Sequence, residues 1–352
     1  MKATRYYGKH DIRTEEIDEP QVKAGHVKVR NEWTGICGTD LHEYDDGPMF
    51  CPAPGHSHPL TGVALPIVLG HEIAGVVAEV GEGVTKVKVG DKVSVEPYLV
   101  CNECEFCKDG RYNICTKAAF LGLSGESGGF AEFCVAEERF VHPLGDLSTE
   151  VGALVEPLAV AHHAIVRSGI KPGQTALVVG AGPIGLFVTA ILRAIGVETV
   201  YNVEISAIRK AKAEAAGSTL VIDPTAENAV AKIHELTGGR GVDVAFEAVG
   251  ASPALQTAID ATKTGGNVVN ISIWSHNADI NLFGLVAREV NLMGTLAYCN
   301  DHAPVIKLLQ EGKLKNVEQF ITGRISAEDV VEKGIDQLIN NKEENVKILV
   351  HP

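Results

Sequence analysis

Over the first 95 or so residues, apolar positions alternate with polar ones in short bursts. The runs HVKVRNEW, EIAGVVAEVG and KVKVGDKVSVEP set valines among polar neighbours with the two-residue period of strands that bury one face. Gly75, Gly81, Gly83 and Gly90 break them, and together they predict a β-rich, barrel-like module. Between the first two runs, the stretch from Tyr44 to Leu69 holds Pro48, Pro52, Pro54, Pro59 and Pro66 and reads as a loop-rich insertion. It closes in LGHE, which puts His71 and Glu72 at the start of a strand.

From Thr149 the period lengthens. EVGALVEPLAVAHHAIVRSG spaces its apolar residues three and four apart, as a helix does, and sets Glu156 just before Pro157, where a helix begins or is interrupted. Beyond KPGQ, strand-like and helix-like words alternate: TALVVG, PIGLFVTAILRAIG, TVYNVE, SAIRKAKAEAAG and STLVID, then ENAVAKIHELTGG, VDVAFEAVG, ASPALQTAIDATK, NVVNISIW and VNLMGTL. Roughly six short apolar strands with amphipathic helices between them predict an α/β fold, a Rossmann-type doubly wound parallel sheet. The remaining residues mix helices with a terminal strand that can return to the first module.

A chain of 352 residues is long enough for two cores. With 31 basic and 45 acidic residues its formal charge is -14, which argues against nucleic acid or an anionic membrane surface as partner. MKATRYYGKHDIRTEE carries charges every few residues and no apolar signal-peptide core, so the cytoplasm is expected. The uncharged run from Thr175 to Leu192 has the length of a membrane span, but its clustered Gly180, Gly182, Pro183 and Gly185 suit a strand, a turn and a helix start instead.

The cysteines bring in chemistry. In CNECEFCKDGRYNIC, Cys101, Cys104, Cys107 and Cys115 are spaced C-x2-C-x2-C-x7-C. Four thiolates this close can surround one tetrahedral zinc and leave no open position, which marks a structural site. A second motif, Gly180-Ala181-Gly182-Pro183-Ile184-Gly185, is G-x-G-x-x-G between a strand and a helix, where bare backbone can approach a pyrophosphate at the positive helix end. Glu204, nineteen residues after Gly185, ends the second strand and can accept from adenosine ribose hydroxyls while repelling a 2'-phosphate, so NAD(H) is expected rather than NADP(H). Arg209 could instead meet a 2'-phosphate, stack on the adenine or pair with Glu204. By strand position Val249, Gly250 and Ile273 are expected in the nicotinamide wall or in the core beside it.

CGTDLH, residues 37–42, concentrates a soft metal ligand, a hydroxyl, a carboxylate and an imidazole in what reads as one loop. Beside a zinc lobe and a dinucleotide fold, Cys37, the pair His71 and Glu72, and Glu156 become a candidate second metal site. With GICGTDLH, LGHEIAGVV, VGDKVSVEP, LVEPLAVA and VVGAGPIGL also present, the chain resembles zinc-dependent medium-chain alcohol dehydrogenases over essentially its whole length. The resemblance implies a GroES-like catalytic domain over 1–157 with the zinc lobe near 95–118, an NAD-binding Rossmann domain over 158–297, and a return to the catalytic domain over 298–352. It implies two zinc ions, a catalytic one held by Cys37, His71 and Glu156, with Glu72 as an exchanging ligand. A carboxylate at position 156, where liver-type members carry cysteine, matches the polyol and diol branch.

The resemblance further implies that Thr39 takes the substrate proton and passes it through the nicotinamide ribose to His42 and solvent, while hydride moves from the alcohol carbon to NAD. Asp40 is expected to orient a metal ligand. Tyr44 and Phe50 are expected to line the pocket. His56, His58 and Cys51 read as part of a loop shaping that pocket rather than a third metal site, and His162 and His163 as packing or surface residues. GTDLHEYDDGPMF, HPLTG, FLGLSG and SIW most resemble the butanediol dehydrogenase branch, which implies a small secondary alcohol or vicinal diol as substrate, butane-2,3-diol and acetoin above others. Sorbitol or threonine oxidation is the enzymatic alternative, and a catalytically silent cofactor-binding scaffold the non-enzymatic one. Relatives imply a homodimer or homotetramer, with NLMGTLAY as a candidate shared edge.

Overall fold

The long strand His26–Gly35 organises the first half of the protein. In the computed structural model, which describes residues 1–352, it pairs antiparallel with Glu72–Val80 on one side and with the terminal strand Lys347–His351 on the other. Around it a seven-stranded sheet runs in the order Val141–Pro143, Lys92–Val95, Glu72–Val80, His26–Gly35, Lys347–His351 and Ile321–Ser326, with Phe133–Glu137 also on His26–Gly35. Alternation of valine with polar residues buries one side, where Val27, Val29, Ile73, Val77, Val93 and Val95 form a shared core. The expected return of the chain's end into this module is realised by Lys347–His351.

The second unit is a six-stranded parallel sheet. Its order is Leu220–Ile222, Thr199–Val203, Thr175–Val179, Val242–Glu247, Thr262–Asn270 and Asn291–Gly294, with the order reversing beside Thr175–Val179. This is the doubly wound topology expected from the strand and helix words, and it opens its ligand crevice at the carboxyl end of Thr175–Val179. The helix Pro183–Ala194 starts there, with Gly182 as N-cap and proline in its first turn, and buries Leu186, Phe187, Val188, Ile191 and Leu192.

The chain divides into Met1–Glu156 with His302–Gln310 and Lys315–Pro352, and Pro157–Asp301 with Glu311–Leu314. The first boundary lies beside the one read from sequence; the second lies four residues later, at the turn ending in Asp301. Two local expectations change. CGTDLH is not a loop but the start of the helix Gly38–Asp45: Cys37 is its N-cap, and the Asp40 carboxylate accepts the Cys37 amide at 2.9 Å, closing the first turn. The apolar run after Thr149 is two helices, Thr149–Ala153 and Val155–Ser168, separated at Leu154.

Candidate active site and metal centres

The four lobe cysteines converge. Their sulfur atoms all lie within 4.8 Å of one another, with Cys101–Cys115 at 3.5 Å and Cys101–Cys107 at 3.9 Å. Sulfurs about 2.3 Å from a tetrahedral zinc stand about 3.8 Å apart, so the cage fits the ion. Cys104 caps the short helix Glu105–Lys108, and amides point at the sulfurs: Cys107 to Cys104 at 3.5 Å, Cys104 to Cys101 at 3.4 Å, Lys117 to Cys115 at 3.4 Å. The amides of Cys107 and then Thr116 pull the Cys104 thiol down to about 6, whereas burial and then Cys104 push Cys107 up to about 12. Four thiolates can coexist here only around a cation.

The second candidate centre lies in the sheet built on His26–Gly35. Cys37 ends that strand's continuation, His71 and Glu72 open the neighbouring strand, and Glu156 sits buried in the first turn of Val155–Ser168. Asp40 links the first two: it accepts the Cys37 amide through Oδ2 and sets Oδ1 3.7 Å from Nδ1 of His71. Neither Asp40 Oδ1 nor His71 Nδ1 has a hydrogen-bond partner, though both are buried. With Nδ1 turned to a carboxylate, Nε2 is the nitrogen left for a metal.

Glu72 has a partner absent from the sequence reading. Lys347, from the terminal strand, donates to both its carboxylate oxygens and to the Ile36 carbonyl. Cys37 and Glu156 also act on that ammonium, which ties all three acidic groups to one buried neighbourhood. Burial first, then Glu72, pushes the Cys37 thiol up to about 12, with Lys347 opposing. Sulfur, nitrogen and carboxylate donors of this kind are those that a divalent cation such as zinc takes. The signal in sequence was a lysine inside the apolar run VKILV, a position that burial tolerates only with a partner.

Thr39 and His42 share one face of Gly38–Asp45, three residues apart, and the Thr39 hydroxyl lies 3.7 Å from the Cys37 sulfur. Phe50, Tyr44 and Cys51 pack with Ile36 and Leu41 around this helix. His56 is exposed, while His58 is half-buried and accepts the Leu60 amide at 3.3 Å.

In the parallel sheet the glycine motif is built for close approach. A Cβ on Gly185 would lie 2.0 Å from the Gly180 carbonyl, and one on Gly180, which has φ +98°, would meet Val249 at 2.6 Å. Around Gly182 there is only open space, so no internal contact requires a glycine; a ligand approaching the helix end does. Pro183 and Ile184 form the half-buried first turn behind it. Glu204 accepts the Ala181 amide at 2.8 Å and those of Ile205 and Ser206 at 2.8 and 2.9 Å, which pins the acidic residue against the motif. Arg209 lies in the first turn of Ala207–Ala215, its amide on the N-cap hydroxyl of Ser206.

Val249, Gly250 and Ile273 gather at the carboxyl ends of the next two strands, with Val249 and Ile273 exposed. Sequence reading missed what braces them: the buried carboxylate of Glu247 accepts the amides of Val249 and Gly250 at 2.7 and 2.8 Å and the Ser272 hydroxyl. His162 and His163 are largely buried, as packing residues are, and they share one carboxylate. Both donate Nδ1 to Asp301, at 2.5 and 2.9 Å, because this carboxylate returns from 138 residues away to stand over two adjacent helix positions.

Comparison with known proteins agrees with the fold. Residues 23–146 match the alcohol dehydrogenase GroES-like domain, and residues 183–311 match the zinc-binding dehydrogenase domain. An (R,R)-butanediol dehydrogenase of Neisseria gonorrhoeae is 47% identical over 100% of this chain and 99% of its own. That of Bacillus subtilis is 43% identical over the full length of both. The crystal structure of 2R,3R-butanediol dehydrogenase from Bacillus subtilis superposes with a TM-score of 0.93 at 43% identity, covering 100% of this chain and 99% of that one.

Proposed function

The chain belongs to the zinc-binding alcohol dehydrogenases with a GroES-like domain, and from that premise we propose that it interconverts butane-2,3-diol and acetoin with NAD(H). The observation that carries the reading is the pairing of half-buried Cys37 with buried His71 and Glu156 as sulfur, nitrogen and carboxylate donors, in a chain alike end to end to butanediol dehydrogenases. NAD supplies the hydride acceptor. A zinc ion held by Cys37, His71 and Glu156 supplies Lewis acidity that lowers the pKa of the substrate hydroxyl.

The chain's own residues then have distinct parts. Thr39 accepts the hydroxyl proton, and His42, one turn on along the same helix face, hands it to solvent. Asp40 accepts the amide of Cys37 and faces the ring of His71 at 3.7 Å, so one carboxylate orients both ligands. Glu72 can serve as an exchanging ligand only by leaving Lys347. Glu156 adds a carboxylate able to accept from the second hydroxyl of a vicinal diol. Gly180, Gly182 and Gly185 leave backbone room for the pyrophosphate, Glu204 selects the unphosphorylated ribose, and Val249, Gly250 and Ile273 flank the nicotinamide.

We further propose a homodimer or homotetramer. Leu282, Phe283 and Val286 of the helix Leu282–Val286 are 61–74% exposed, and Leu292 and Leu296 are exposed along the sheet edge Asn291–Gly294, an apolar face whose burial against a second copy is favourable. No helix is long and apolar enough to cross a membrane. All eight cysteines are free of disulfides, which suits a reducing compartment such as the cytoplasm.

An NADH-linked panel of acetoin, each butane-2,3-diol stereoisomer, sorbitol and threonine tests the activity. The diol and acetoin should give the highest kcat/KM. A clear preference for sorbitol or threonine would overturn the substrate assignment while leaving the family intact.

A further inference from the structure

Glu43 follows His42 on the helix Gly38–Asp45, and it is fully buried. Its carboxylate turns back onto the start of the Pro-rich stretch. There Oε1 accepts the amide of Phe50 and, at 3.2 Å each, those of Met49 and Cys51, while Oε2 accepts Met49 at 3.0 Å. The Cys51 thiol bonds to the same carboxylate. Gly47 completes the contact, since a Cβ there would lie 2.4 Å from the Glu43 carbonyl oxygen.

This arrangement ties the helix to the segment that follows it. On one side is the helix that carries Thr39 and His42. On the other is a segment whose Met49 is exposed and whose Phe50 packs with Ile36 and Leu41, the apolar neighbours of Cys37 and His42. A carboxylate shared among three consecutive amides holds that segment at a fixed distance from the helix, because the charged acceptor is fully buried and these amides are its hydrogen-bond donors. A neutral side chain of the same length cannot accept at both ends.

We propose that Glu43 is a positioning residue for substrate selection, fixing Met49–Cys51 as an apolar wall beside the Thr39–His42 helix that admits the methyl ends of a short vicinal diol. The inference rests on the functional reading above, in which that helix belongs to the active site. Its selectivity follows from desolvation. Butane-2,3-diol presents methyl groups to such a wall, whereas sorbitol presents hydroxyls that Met49 and Phe50 leave unpaired.

The test compares E43Q and E43D with wild type as zinc-loaded holoenzymes. Gln keeps the length but turns an NH2 group on the loop amides; Asp keeps the charge but withdraws it by one methylene. Expected for E43Q is a KM for butane-2,3-diol raised about tenfold or more, with kcat near wild type and NADH affinity by fluorescence unchanged. The diol-to-sorbitol ratio of kcat/KM should fall, hydrogen exchange at the amides of Met49, Phe50 and Cys51 should quicken, and E43D should lie between. Faster exchange with unchanged diol KM and unchanged ratio in both variants would make the anchor purely structural and overturn the proposal; slow exchange in both would show that the anchor does not exist. Should E43Q fail to fold, E43D alone carries the same comparison. Failure of the functional reading itself shows separately, as a wild-type enzyme that oxidises no diol.

Discussion

Both carboxylate oxygens of Glu72 lie on the ammonium of Lys347, at 2.6 and 2.8 Å, across 275 residues of chain. Burial works to lower the Lys347 pKa, but the charges of Glu72 and then Cys37 outweigh it and hold the group raised. The buried ammonium therefore keeps its charge, with the Glu72 carboxylate as its hydrogen-bonded partner. Lys347→Met should destabilise the protein by about 3–5 kcal/mol, because it leaves a buried carboxylate without a cation. The double variant Lys347→Met, Glu72→Gln should recover most of that loss. Urea unfolding of the wild type, both single variants and the double variant closes the cycle; a K347M protein as stable as wild type would exclude the pair as a structural element.

Cys37→Ser should reduce turnover by about 100-fold or more, the upper effect of disturbing groups that merely support a metal ligand. NADH binding, followed by fluorescence, should stay near wild type, since the glycine motif and Glu204 belong to a separate sheet. Loss of NADH binding along with turnover would place Cys37 in the fold instead of the chemistry.

Metal analysis should return about two zinc ions per chain, of which one leaves under mild chelation without loss of far-UV circular dichroism. The second should leave only with disorder of the lobe, because three of the four sulfurs are held by amides within the lobe itself. Cys104→Ser should give one zinc and a lower Tm. A single ion whose removal unfolds the protein would refute the Cys37 site.

Glu204→Ser should shift the NAD to NADP preference toward NADP by about tenfold, by removing a charge that repels a 2'-phosphate. Some stability should be lost as well, since Glu204 also holds the amides of Ala181, Ile205 and Ser206. The ratio of kcat/KM for the two cofactors separates these effects, and an unchanged ratio would remove Glu204 as the selector.

Asp301 gives a pH dependence. Burial pushes its carboxyl up, but the hydrogen bonds from His162 and His163 outweigh that and hold it down, at about 2 against an ordinary 3.8. A depressed carboxylate contributes stability above its unfolded pKa and loses it as pH falls through the folded one. The contribution, about 2 kcal/mol, should therefore be complete above about pH 4 and gone near pH 2. The stability difference between wild type and Asp301→Asn should shrink across that window; a difference independent of pH would show that the carboxylate's charge is not what matters.

Much of this protein was legible along the chain, wherever the chemistry is local. Four cysteines inside fifteen residues close a cage without help from elsewhere, and the glycines of Gly180 to Gly185 mark a strand-to-helix turn whose steric demands operate within six residues. The alternating valines and the apolar strands between amphipathic helices likewise determined two modules and their sheet types, because a strand or helix buries the face that its own period creates. What tertiary structure alone decided is the company of the buried charges. Lys347 beside Glu72, Asp301 over His162 and His163, and Ser272 on Glu247 are settled by strand order and chain return, which no period records. The physical reason is that a buried charge needs a partner within about 3 Å but places no demand on how far away in sequence that partner lies.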